Sequence, residues 1–185
     1  MPRRFPRRAR TALACLALLA LAACGPDGSD TGQDAAAGAP GAEFASLPAG
    51  LWTTRVTPAR VSAVVSDGRA HLALSCAGER RIALRYAPAE TPGRAREIAL
   101  SAGSPGTAAL GLALAARTER PGVLAATVEG DPERLRLLGL LLSGRGLRVA
   151  AAPTPSATMP TNGAREAIET ALRPHGCLRG VENAL

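Results

Sequence analysis

From residue 12 to residue 24 the chain carries no charged side chain, and Arg3, Arg4, Arg7, Arg8 and Arg10 stand in front of that run. Thirteen residues at ~1.5 Å each fall well short of a ~30 Å hydrocarbon core as a helix. The run therefore does not span a bilayer. A cationic start, a short apolar middle and small residues at its end describe an export signal that is later removed. Residues 1–23 are accordingly expected to be a leader and to drop out of the folding problem. Export also sets the compartment as one in which cysteines pair.

The run ends in Leu21-Ala22-Ala23-Cys24. These residues resemble the lipobox of bacterial lipoprotein precursors. The resemblance implies cleavage before Cys24, thioether diacylation of its thiol, and acylation of the new amino group, palmitate being a typical chain. One acyl chain holds a protein only reversibly; at ~0.8 kcal/mol per buried CH₂, a second makes the anchor durable. The expected mature protein is attached to the membrane through acyl chains on Cys24 without spanning it. Gly25 stands where enterobacterial lipoproteins kept in the inner membrane carry aspartate, which implies the outer membrane and a domain facing the periplasm. Arg3-Arg4-Phe5 does not continue as a twin-arginine signal, so general secretion and folding after export are expected. The alternative is a plain secretory signal in which Cys24 is incidental.

The formal net charge of +7 overstates the mature chain. Five of the 22 basic residues lie in the leader, which leaves 17 arginines against 15 acids, a near-neutral balance with scattered charges. Nucleic-acid binding is not expected, because Trp52 and Tyr86 alone cannot build stacking platforms. All basic residues are arginine. That excludes a Schiff-base lysine, a serine–lysine dyad and a phosphate-loop lysine.

Cys15 leaves with the leader and Cys24 takes lipid. Cys76 and Cys177 remain, an even pair in an oxidising compartment, and are expected to form one disulfide. The alternative is two buried free thiols, which alkylation of the unreduced, denatured protein distinguishes.

Residues 24–46 are rich in glycine, alanine, aspartate and proline, with Phe44 the only large side chain. They read as a flexible tether. Residues 47–185 suffice for one small core. Alternation predicts strands over 51–56, 60–65, 70–76 and 82–86, with Asp67-Gly68 as a hairpin turn. Ile98 and Leu100 mark a further strand. Leu110, Leu112 and Leu114 alternate and are expected to pair with 123–128, although alanine leaves helix open over 107–117. Residues 146–151 suit another strand, and 153–161 hold three prolines and read as loop.

Asp131-Pro132 predicts a helix start, with Glu133 in the positive-dipole turn. Leu135, Leu138, Leu141 and Leu142 form its expected apolar face. Asn162 is the expected cap of a second helix. Ala164, Ala167, Ile168, Ala171 and Leu172 follow helical spacing there. Glu169 and Arg173 make an exposed i,i+4 pair in the favoured order. The sum is an α+β domain: a mostly antiparallel β-sheet with two helices packed on one face and one disulfide.

Trp52, a cysteine closing a strand at Cys76, and Gly163-x-x-Glu166-Ala167-Ile168 leading to Cys177 resemble small exported proteobacterial domains, including some type VI secretion accessory proteins. The resemblance implies the same fold and the Cys76–Cys177 bridge. The phenylalanine-rich strand of those domains is missing before the last helix.

No catalytic set assembles from the sequence. Asp30-Thr31-Gly32 matches the aspartic-protease tripeptide, but it sits in the tether, where no second aspartate faces it. His71 alternates away from the Leu72 and Leu74 face and is expected to be solvent-facing; His175 ends a helix, where an imidazolium suits the dipole. Ser75 has no nucleophile-elbow motif around it. Arg80 and Arg81 are adjacent on a strand and point to opposite faces. Glu129, Asp131 and Glu133 read as helix-start charges rather than a calcium cluster. No metal, cofactor or nucleic acid is expected. The expected role is a non-enzymatic binding or scaffolding module for another envelope protein or cell-wall component; the alternative is an envelope hydrolase or secretion-system accessory factor.

Overall fold

In the computed structural model, which describes residues 44–103 and 110–185, the Ser66-Asp67-Gly68 turn forms as its sequence predicts. The Asp67 carboxylate accepts the backbone N–H groups of Arg69 and Ala70 at 2.8 and 2.7 Å. Gly68 takes φ +96°, which costs glycine little. The described residues belong to one compact unit. Their strands in chain order are β1 (Thr53–Thr57), β2 (Arg60–Ser66), β3 (His71–Gly78), β4 (Arg81–Ala87), β5 (Glu97–Ala102), β6 (Leu110–Ala115), β7 (Arg117–Arg120), β8 (Val123–Val128), β9 (Leu147–Ala150) and β10 (Ala157–Met159). The helices are α1 (Asp131–Leu141) and α2 (Ala164–Leu172).

The strands divide into two antiparallel sheets, one ordered β1-β2-β3-β4-β8-β7 and one ordered β10-β9-β5-β6. Register explains which residues face inward in the larger sheet. Val65, Leu72, Tyr86 and Leu124 align across β2, β3, β4 and β8. So do Ala63, Leu74, Leu84 and Ala126. All eight are buried, as the two-residue period of a strand requires when one face meets the core. In the smaller sheet Ile98, Leu100, Leu112, Leu114, Leu147, Val149 and Met159 are buried likewise. Both sheets and both helices contribute to one hydrophobic core. α2 packs on β1, β2 and β3, and α1 packs against β5 and β6. The α+β class and the largely antiparallel organisation thus follow the sequence pattern.

Cys76 at the end of β3 and Cys177 beyond α2 lie at disulfide distance, with Cα atoms 5.7 Å apart. The five residues expected on the inner face of α2 are its buried residues. The Arg173 and Glu169 side chains meet at 3.3 Å.

Several local expectations are corrected. β6 pairs with β5, not with β8, and β8 lies between β4 and β7. The 110–115 stretch itself is strand, as its alternation predicts. β7 and β10 were not anticipated. The inner face of α1 is Arg134, Leu137, Leu138, Leu140 and Leu141, while Leu135 is 45% exposed. Gly130, not Asp131, caps α1, because the Asp131 carboxylate is drawn to Arg80 and Arg134. Gly163 caps α2 with φ +75°, leaving the Asn162 carbonyl to accept the Trp52 backbone N–H at 2.9 Å. The leader, Cys24 and Asp30-Thr31-Gly32 lie outside the described residues.

Candidate functional site

The outer face of the six-stranded sheet differs from its inner face in kind. One row runs Val64, Ala73, Arg85, Ala125 and Arg117 across β2, β3, β4, β8 and β7. The next runs Ser62, Ser75, Ala83 and Thr127. Small residues dominate both rows, and Arg85 and Arg117 are the large side chains on them. Over β2 and β3 this face is closed: Ser62, Val64, Ala73 and Ser75 are buried. Part of the closure comes from residues 44–50. Phe44 stacks on His71 with ring centroids 5.5 Å apart, and the Arg55 guanidinium donates to the Ala45 and Ser46 carbonyls at 2.9 and 3.0 Å. The end of the stretch read as tether is therefore docked on the sheet.

Over β4, β8 and β7 the same face opens into a groove of about 540 Å³ with a floor of Ala83 and Ala125. Arg85, Arg117, Glu119 and Thr127 contribute its polar lining. Arg85 is fixed in place. Its Nε donates to Glu119 at 2.7 Å and its Nη1 to the Ser75 hydroxyl at 2.9 Å. Only 12% of its side chain is exposed. Arg117 occupies the edge strand and is exposed. It stands in register with Ala125, which is also the partner of Arg85, so the two guanidinium-bearing residues flank one alanine. In the sequence, Arg85 is one polar position in the alternating 82–86 stretch, and nothing there singles out Arg117. Alternation carried that much signal; the β8–β7 pairing that joins the two was not visible in it.

The other singled-out residues do not converge on a reactive centre. His71 does lie on the face opposite Leu72, but Phe44 half-buries it rather than leaving it in solvent. Burial pushes its pKa below the usual imidazole value, against a weaker opposite pull from Asp67. Ser75 lies four residues along the same strand, about 13 Å away at strand rise, too far for a nucleophile–base pair. His175 is exposed at the end of a 3-10 turn, Arg173–His175. Arg80 pairs with Asp131 at 2.6 Å and Arg81 approaches Glu129 at 3.9 Å. Asp131 is engaged by two guanidinium groups, which hold its carboxyl below the usual range, Arg134 first and Arg80 second. Among the described residues, no three His, Cys, Asp or Glu side chains are grouped to hold a metal. Tyr86 is buried in the core, and burial pushes its phenol up to about 12. Among the described residues no helix is long and apolar enough to cross a membrane. Comparison with protein-family models, curated proteins and solved structures finds no match for this chain.

Proposed function

We propose that this chain is a lipid-anchored protein of the cell envelope whose domain binds another envelope component, a protein or cell-wall material, rather than transforming a substrate. The Leu21-Ala22-Ala23-Cys24 sequence supports the anchor and the periplasmic, outer-membrane placement. The observation that carries the binding role is the open part of the outer sheet face. A shallow, methyl-floored groove with a fixed guanidinium suits recognition, since ligand sites combine apolar lining with a few well-placed polar groups.

Two measurements test this reading. The membrane-fraction protein should have the mass of residues 24–185 plus acyl chains, and Cys24→Ser should release it from the membrane; an unacylated protein overturns the anchor. A photo-crosslinking residue at Thr127, in the groove, should give a discrete envelope adduct. One at Arg165, exposed on α2 on the opposite side of the sheet, should not. Equal yields at both positions overturn the binding role of this face.

A further inference from the structure

We propose that the groove over β4, β8 and β7 takes a short extended peptide ending in a free carboxylate. This rests on the binding role of the outer face but assigns its ligand chemistry. A volume of about 540 Å³ lies in the ordinary range for a ligand site, roughly 300–1,000 Å³. Ala83 and Ala125 leave a low floor beside Arg85, against which a peptide main chain can lie. Charge selects the end group. Two arginines and one glutamate line the groove, leaving a net positive charge.

The two guanidiniums differ in use. Arg85 is committed through Nε to Glu119 and through Nη1 to Ser75, which sets its plane before any ligand arrives. The Arg117 guanidinium has no ion-pair or hydrogen-bond partner among the described residues. Guanidinium binds carboxylate through parallel N–H donors, and the charge-assisted bonds are stronger than neutral ones. The free group is thus the one that captures the carboxylate, and the fixed one gives the groove its direction. Glu119 works against an incoming anion, because part of the field of Arg85 is already used.

The test is titration of the full mature chain in detergent with tetra-alanine bearing a free C-terminal carboxylate, and with its C-terminal amide. Calorimetry gives affinity, and NMR shifts at Ala83, Ala125 and Thr127 give location. The acid should bind about tenfold or more tightly than the amide, the scale of one charge-assisted contact. Arg117→Ala should remove that preference, and added salt should weaken the acid selectively. Glu119→Gln should tighten the acid form, an effect that a purely structural role for these residues does not produce. Arg117→Ala lies at an exposed edge, and its melting temperature checks that the fold is kept. Equal binding of acid and amide, no binding of either, or a preference that survives Arg117→Ala overturns the assignment. If Thr127 crosslinks in the envelope while tetra-alanine fails, the ligand chemistry is wrong and the binding role stands.

Discussion

Among the described residues Arg134 is the largest side chain with no solvent exposure, and its position is explained by what it satisfies. Its Nη1 donates to the Cys177 carbonyl at 2.7 Å, and its Nη2 donates to the Arg179 carbonyl at 3.0 Å and to the Asp131 carboxylate. An arginine is rarely buried without such partners. Arg134→Met keeps bulk but leaves two carbonyls without their donor. The expected loss is about 2–5 kcal/mol, the cost of two buried carbonyls left without a donor, read from the urea midpoint; a loss below about 1 kcal/mol would mean that water replaces the guanidinium. His71 provides a pH-dependent counterpart. Its pKa is lowered in the fold, chiefly by burial, whereas the unfolded chain titrates near ~6.5. The unfolded state therefore binds the extra proton first. Stability is fullest above ~6.5 and falls as pH drops from there through the lower folded value. Melting temperatures at pH 7.5 and 5.5 should fall less for His71→Gln than for the parent protein. Parallel falls would show that Phe44 does not shield the imidazole.

At the scale of elements, the turn before α2 shows how a single glycine sets a helix start. A Cβ at Gly163 would meet the Leu51 side chain and the Trp52 carbonyl, each at 3.1 Å, and the backbone there has φ +75°. Trp52 is pinned to the same turn, its indole N–H donating to the Pro160 carbonyl at 2.8 Å. Gly163→Ala should cost about 1–2 kcal/mol from the left-handed backbone alone, with crowding adding to it, as thermal unfolding would record; an unchanged midpoint would refute the close approach. The alternation of β2, β3 and β4 and the spacing of α2 were legible because each has one apolar phase. α1 was legible as a helix but not in its rotation. Its stretch Leu135-Arg136-Leu137-Leu138-Gly139-Leu140-Leu141 offers leucine on several sides, so periodicity could not choose, and the carbonyls that Arg134 meets from a distant segment decided the matter. β7 is polar and β10 is three residues long, so neither shows a period to read. The groove was hidden for a related reason: its floor is alanine, which marks neither core nor site, and its two arginines meet only through the strand order.

Across the whole molecule, residues 173–185 follow α2 and close the fold, and separate interactions hold them. The disulfide joins Cys177 to Cys76, 101 residues earlier. The Arg80 backbone N–H donates to the Gly176 carbonyl at 3.3 Å, Arg134 holds the next carbonyls, and Arg179 pairs with Glu79. These act on different states. The disulfide limits the unfolded chain, while the hydrogen bonds and ion pairs exist only when the chain is folded. In the chain-entropy view a loop of about 100 residues contributes roughly 4.7 kcal/mol. Replacing both cysteines by serine should therefore lower the unfolding free energy by about 4–5 kcal/mol, while the native hydrogen bonds keep the tail in place at rest. Hydrogen exchange should then show the amides of 176–181 opening before those of β3 and β4, because the tail has lost its covalent tie and the sheet centre has not. Equal stability with and without the cysteines would mean that the denatured chain already holds these segments together. Early loss of β3 and β4 protection would mean that the sheet centre depends on the covalent tie as much as the tail does, through Leu178 and Val181 in the core.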